Sequence, residues 1–359
     1  MWKRGEWKIK VSVLAIACVC GEVAHAQSSV NLYGIVDGGL LYTSKTLNQT
    51  TGQNAGRQFS MIDSGSAPSQ FGLTGTEDLG GGLKAKFKLE SGISVANGGF
   101  DDSNGNLFGR EAWVALASQY GEVTAGLQFS PFFISQFETD ARGFSQFGSG
   151  LVTYIDNAIG TGIFNSNAIS YASPNIAGFQ GSVMLALGGE AGDFQAGRQY
   201  SASLKYENGG FLVSAAFYDG NSGGTLQTPL PTTVPFIGRT IGASYKFGTV
   251  TAKAAVVNYK VAGSFNNYIY SGGLDYLLTP QFDLNGGVYY TSDRGNSKNH
   301  SIMGALGGQY FISKRTALYG QVGVVDNHGA MDTGLSVNGA LFEAPGTTVG
   351  ANIGVRHSF

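Results

Sequence analysis

Four charged residues alternate with four apolar ones in the stretch LKAKFKLE, residues 83–90. In a strand, side chains change face at every residue, so Lys84, Lys86, Lys88 and Glu90 share one face and Leu83, Ala85, Phe87 and Leu89 the other. Consecutive lysines on such a face stand about 6.6 Å apart. The chemistry this pattern offers is electrostatic rather than covalent. A basic nucleic-acid surface, the wet face of a soluble sandwich and the wall of a water-filled barrel all carry it.

Covalent chemistry finds less support. Asp37 and Glu90 both fall on wet faces, but a paired-carboxylate hydrolase needs its two groups in one cleft. His300, His328 and His357 have no metal-ligand spacing, and no serine presents an obvious His/Asp partner. The chain reads as a non-enzyme without a metal or cofactor.

The elements that position these residues follow from composition and the two ends. The chain opens on the basic segment MWKRGEWKIK, continues through apolar VSVLAIACVCG and reaches AHA at residues 24–26. That order is a secretory signal peptide, too short in its apolar part to span a bilayer. Removal of residues 1–26 leaves 333 residues (359 − 26), residues 27–359, as one exported domain. Cys18 and Cys20 both lie in the leader, so the exported part uses no disulfide. A lipoprotein reading is weakened by the absence of a leucine just before Ile16 and Ala17.

Without the leader's four basic and two acidic residues, 22 against 24 becomes 18 against 22, a net charge near −4. That balance disfavours nucleic acid as a partner. Glycine is abundant, 56 residues against 8 prolines, beside 23 phenylalanines and 17 tyrosines, and has no Gly-x-y period. Glycine beside many aromatics suggests many strands and turns. No apolar run beyond the leader is long enough for a membrane helix, but a barrel distributes its apolar surface over every second residue.

Alternation and turn residues predict strands at 29–42, 68–78, 82–93, 107–117, 122–129, 166–173, 179–188, 198–207, 211–219, 238–247, 250–261, 267–277, 281–291, 300–311, 315–325 and 349–359. Many have the roughly ten residues a tilted strand needs to cross a bilayer. Their linkers alternate: DLGG (78–81), SQYG (118–121), ENGG (207–210) and SKRT (313–316) are short, whereas 46–58, 219–236 and 326–346 are long and polar. Tight turns at one end and large loops at the other describe an all-β transmembrane antiparallel barrel of about 16 strands. The last strand, VGANIGVRHSF, alternates to its terminal phenylalanine, and SSVNLYGIVDGGLLY offers a matching first strand to close on.

The pieces NLYGIVDGGL, TEDLGGGLKAKFKLESG, GREAWVALASQYGEVTAGLQ, SYASPNIAGF and the terminal GVRHSF cover the exported chain. In them the sequence resembles the general porin family of Gram-negative outer membranes, of the type found in Burkholderia, Bordetella and Neisseria. The resemblance implies a homotrimer of sixteen-stranded barrels in outer-membrane lipid and lipopolysaccharide, passing ions and small hydrophilic solutes by diffusion. It also implies a third long loop folded into the lumen as the constriction, which here is 130–165.

That loop carries Phe132, Phe133, Phe137, Phe144 and Phe147 beside Glu138, Asp140 and Asp156. Two readings stay open: the aromatics anchor the loop to the wall, or they narrow the eyelet and favour solutes with a ring face. The family pattern has arginines where this chain has Gln70, Thr74 and Leu127, which thins the basic ladder; Arg110 keeps its arginine position. Lys84, Lys86, Lys88, Arg110, Glu138, Asp140, Asp37, Gln70, Phe132 and Phe133 are the expected pore-lining or constriction residues. The alternative for the lysines is solvation of the periplasmic mouth beside DLGG. Asp326, Asp332 and Glu343 either bridge divalent ions and lipopolysaccharide or belong to a solvated loop. Three functions remain: a diffusion channel, a substrate-selective channel with an aromatic constriction, and an adhesin or structural barrel.

Overall fold

The computed structural model describes residues 29–225 and 234–359, so the expected leader lies outside the described residues. The chain begins with β1 (Ser29–Thr43), β2 (Gln58–Asp63), β3 (Gln70–Gly80), β4 (Leu83–Gly92), β5 (Glu111–Ser118) and β6 (Gly121–Phe129). Two helices follow, α1 (Pro131–Thr139) and α2 (Gly150–Ala158). The chain then returns through β7 (Phe164–Ala172), β8 (Phe179–Ala186), β9 (Gln199–Asn208), β10 (Phe211–Gly220), β11 (Ile237–Phe247), β12 (Val250–Val261) and β13 (Phe265–Thr279). It ends with β14 (Phe282–Asp293), β15 (His300–Phe311), β16 (Thr316–His328), β17 (Thr333–Ser336), β18 (Ala340–Phe342) and β19 (Gly346–Ser358).

Three short strands are additional to the sixteen that run round the barrel. β2 pairs with the C-terminal half of β1, and β17 pairs with β18. The other sixteen form a closed antiparallel barrel in which β1 meets β3 on one side and β19 on the other. Closure extends to the chain end, where Gly34 and Phe359 exchange backbone hydrogen bonds of 3.1 and 3.0 Å. These are the sixteen strands that the alternation predicts. Closure leaves no unpaired strand edge, as a hydrocarbon surrounding requires.

The side-chain period sorts the faces. On β5, Val114 and Leu116 point outward at 58% and 52% exposure, while Glu111 and Ala115 on the other face are buried. Lys86 and Lys88 of β4 lie opposite Ala115 and Trp113, on that same inward face. A lysine turned to lipid at the midplane costs about 2–4 kcal/mol, which fixes the register strongly. The turn between β3 and β4 uses Gly80, Gly81 and Gly82 at φ 83, 61 and 81, a backbone region that other residues enter at a steric cost.

The segment between β6 and β7 does not extend outward. It folds into the barrel, and the buried apolar cluster forms where it meets the wall, around Phe132, Phe147, Tyr154, Tyr218, Tyr259 and Leu335. The wall beneath α1 is bare: a Cβ at Gly238 would stand 2.4 Å from the Phe132 ring and one at Gly242 2.5 Å from Thr139.

The sequence reading assigns no helix to this segment. Ser130 caps α1 through a 3.1 Å bond from the Phe133 N–H, with Pro131 at the first helical position, and Ser149 caps α2 through a 3.1 Å bond from the Leu151 N–H. The strand expected at 107–117 begins at Glu111, because residues 103–109 close two turns, Asn106 N–H to Ser103 and Gly109 N–H to Asn106.

Candidate functional site

Antiparallel pairing of β3, β4, β5 and β6 brings six charged side chains together on the inner wall. Lys88 bridges Glu90, at 3.2 Å, and Glu111. Lys86 pairs with Glu122 at 2.7 Å, and Arg110 Nε donates to Glu90 Oε1 at 2.8 Å. Tyr33 and Gln70 also donate to Glu90, at 2.7 and 3.3 Å, and the Trp113 indole donates to Glu111 at 2.9 Å. Three cations therefore face three carboxylates. A lumen wall built this way has strong local dipoles and little net charge, so its field at a distance is small. Lys84 lies nearer the β3–β4 turn and has no ion pair among the described residues.

The inserted segment is held on the opposite side by polar contacts. The Phe132 N–H donates to Ser201 Oγ at 3.0 Å, Ser135 and Ser214 hydroxyls meet at 2.8 Å, and Tyr259 donates to Gln136 Oε1 at 2.7 Å. Glu138 pairs with Lys205 at 2.6 Å. Asp140 is the hub between the two helices: its carboxylate accepts from the N–H groups of Arg142, Phe144 and Gly150 at 3.0, 2.8 and 2.9 Å and from the Tyr289 hydroxyl at 2.9 Å. Arg142 donates to Asn285 of β14, to Gln321 of β16 and to the Gly148 carbonyl, at 3.0, 2.5 and 3.2 Å. The β17–β18 hairpin adds a clamp, with Gly148 N–H donating to Leu335 and Val337 N–H to Gln146 at 2.8 and 2.9 Å.

Several expected pore-lining residues are engaged elsewhere. Asp37 is fully buried, accepting from the N–H groups of Gly65, Ser66 and Ala67 and from Tyr319, so it ties down the connection between β2 and β3 rather than lining an open lumen. Asp140 is buried for the reason above. Phe132 is fully buried against Tyr154, Tyr218, Phe236 and Tyr259, which is an anchoring contact. Phe133 is half-buried between Phe129 and Phe144, with ring centroids at 5.1 and 5.4 Å. Lys88, Arg110 and Gln70 come together around Glu90 and Lys86 pairs with Glu122 beside them, whereas Glu138 stands apart on the inserted helix.

Sequence reasoning missed Glu111, Glu122, Arg142 and Gln146. The first two could have been found from the alternation of 111–124, which sets both on the wet face; the last two sit in the irregular segment, where no period marks direction.

Near the outer end of the charged wall, between the inserted segment and the loop that joins β4 to β5, lies a cleft of about 640 Å³. Phe129, Phe133, Phe137, Phe144 and Phe164 line it with Arg110. Asp101 lies at its rim, where burial and the neighbouring Asp102 and Asp63 push its carboxyl up to about 6. At the end of β16, Asp326 pairs with His328 at 2.9 Å, and between β18 and β19 burial raises the Glu343 carboxyl to about 8. Among the described residues, no three metal-ligating side chains gather into a candidate metal site.

A family described as Gram-negative porin matches residues 12–330. The chain is similar to outer membrane porin protein 32 of Delftia acidovorans, at 32% identity over 98% of this chain and 100% of that protein. It is 27% identical to an outer membrane porin protein of Bordetella pertussis, again over 98% and 100%. The solved anion-selective porin from Comamonas acidovorans superposes with a TM-score of 0.79 at 27% identity, over 93% of this chain and 100% of that one.

Proposed function

The chain belongs to the Gram-negative porin family and is an outer-membrane channel for passive diffusion of ions and small hydrophilic solutes; from that premise, we propose that it passes ions with little charge preference. The observation carrying this reading is the parity of Lys86, Lys88 and Arg110 with Glu90, Glu111 and Glu122. An ion of either sign meets a compensated wall, so passage is limited mainly by width. Gln70 and Thr74 in place of arginines act in the same direction.

The constriction of this channel is the gap between the 130–165 segment and the β3–β6 wall, with Lys86, Lys88, Arg110, Gln70 and Phe133 on its border and Glu138 farther along α1. The hub at Asp140 and the buried ring of Phe132 act as its fixings. The working unit is a homotrimer in outer-membrane lipid and lipopolysaccharide, a reading supported by family membership. Residues 1–26 direct export and are removed.

Purified protein in a planar bilayer tests the channel reading. Stepwise conductance that falls when small sugars enter the lumen, and is indifferent to polymers too large to enter, is the expected result. A barrel that inserts without conductance would favour a structural or adhesive role instead. Mass photometry giving one protomer per particle would remove the trimer.

A further inference from the structure

The inserted helix turns the wrong side toward water. On α1, Ser135, Gln136 and Thr139 are buried against the wall, while Ile134 and Phe137 are 39% and 50% exposed toward the lumen. An amphipathic helix in a polar setting ordinarily does the reverse. Wall partners explain the buried polar side, but they do not explain why the other side is apolar.

Two further cleft residues are held against backbone preference. Phe144 and Ile159 line the cleft, and both stand in the left-handed region, at φ 54 and 48. Bulky and β-branched side chains are disfavoured there, whereas Gly143 and Gly160 beside them take the same region, at φ 61 and 76, without that penalty. Backbone strain that projects an apolar side chain into a cleft is characteristic of ligand clamps.

The ionic groups at the cleft are already engaged. The Arg110 guanidinium lies 5.9 and 5.7 Å from the Phe129 and Phe164 ring centroids and bonds to Glu90 and to the Asp102 carbonyl. Asp101 accepts from Asn338 at 2.8 Å. An anionic ligand would find no free cation here, because Arg110 is paired with Glu90, whereas a flat neutral one finds ring faces on several sides. Gln146, another lining residue, is 2% exposed, and its Oε1 has no hydrogen-bond partner among the described residues. That leaves one acceptor for a ligand hydroxyl.

We propose that this 640 Å³ cleft binds neutral, hydroxyl-bearing aromatic solutes during their passage. The volume is that of a small-molecule site, and the position inside the barrel admits solutes rather than macromolecules. The ring stacks on Phe133, Phe137 and Phe144, and its hydroxyl donates to Gln146. The proposal rests on the channel reading and adds a solute class to it.

The test compares block of the ion current by three neutral glucosides: 4-hydroxyphenyl, phenyl and methyl β-D-glucoside. In the native protein the two aryl glucosides should reduce the current at roughly tenfold lower concentration than the methyl one, the hydroxylated aryl being the stronger. Ile134→Ser with Phe137→Ser, both at exposed positions, should remove the aryl preference and change unblocked conductance less than twofold. Gln146→Leu should remove only the advantage of the hydroxylated aryl. Equal block by all three glucosides, or a serine variant that keeps the preference, would overturn the proposal. Absence of conductance would sink the channel reading instead, and calorimetric titration of the same glucosides into detergent-solubilised protein would then decide the cleft on its own: a preference for the aryl compounds supports it, equal or no binding refutes it.

Discussion

The charged wall of β3–β6 and the inserted helix α1 face each other across the lumen and obey opposite rules. On the wall, polar side chains point to the lumen and apolar ones away, and Lys86, Lys88 and Arg110 each have a carboxylate beside them. On α1, hydroxyl and amide groups point into the wall and Ile134 and Phe137 toward the lumen. A barrel strand answers to two solvents, lipid and water, and its alternation records both. The inserted helix answers first to the surface that it lies on, and that surface offers Ser201, Ser214 and Tyr259 as partners.

The largest effect should come from the fixing between these regions. Asp140→Ala leaves three backbone N–H groups and the Tyr289 hydroxyl without their acceptor. Each buried group left unpaired costs about 1–3 kcal/mol, so the segment's hold should fall by several kcal/mol. Limited proteolysis should then cut within 140–150 of an intact barrel, and the single-channel current should become noisy. Phe137→Ala, at a half-exposed position, should leave the segment protected. If the two variants behave alike, the helix is held by its rings and the contrast between the regions dissolves.

A smaller effect is expected from unbalancing the wall. A unit charge about 6 Å from the ion path in water contributes ~0.7 kcal/mol, roughly a threefold change in relative permeability. Glu111→Gln with Glu122→Gln should therefore shift the reversal potential toward anions, and Lys86→Gln with Lys88→Gln toward cations by a similar amount. Both shifts should fade in 1 M salt, where screening reaches only about 3 Å. Shifts in one pair only would mean that just one sign borders the path.

The smallest effect concerns pH at the cleft rim. Burial and the nearby Asp102 and Asp63 raise the Asp101 carboxyl to about 6. The folded loop thus holds this proton more tightly than the unfolded chain, a contribution to stability present at low pH and lost as pH rises from about 4 through 6. Protease resistance of the loop that joins β4 to β5 should decline over that window, and Asp101→Asn should flatten the decline. An unchanged slope in the variant would assign the titration to another group.

The contrast between the regions also explains what was legible in the sequence. Residues 250–261 and 300–311 are the strands β12 and β15 to the residue, because a two-residue period and flanking turns mark them without ambiguity. The inward direction of Lys86 and Lys88 follows from the same period. Their carboxylate partners belong to neighbouring strands, and one sequence does not display cross-strand register. Within 130–165, the Ser130–Pro131 start of α1 was a readable cap, but a helix with its polar side buried gives no outward clue to its orientation. The burial of Asp37 depends on the connection between β2 and β3 folding onto it, a contact 28 or more residues away in the chain.

The most direct test of the compensated wall is the reversal potential of the purified protein in a planar bilayer, under a tenfold potassium chloride gradient kept below 0.1 M. Parity of Lys86, Lys88 and Arg110 with Glu90, Glu111 and Glu122 predicts a value close to zero, with anion and cation permeabilities within about threefold of each other. A potential near the Nernst limit for chloride would contradict it and would align this chain with the Comamonas porin, which is named anion-selective.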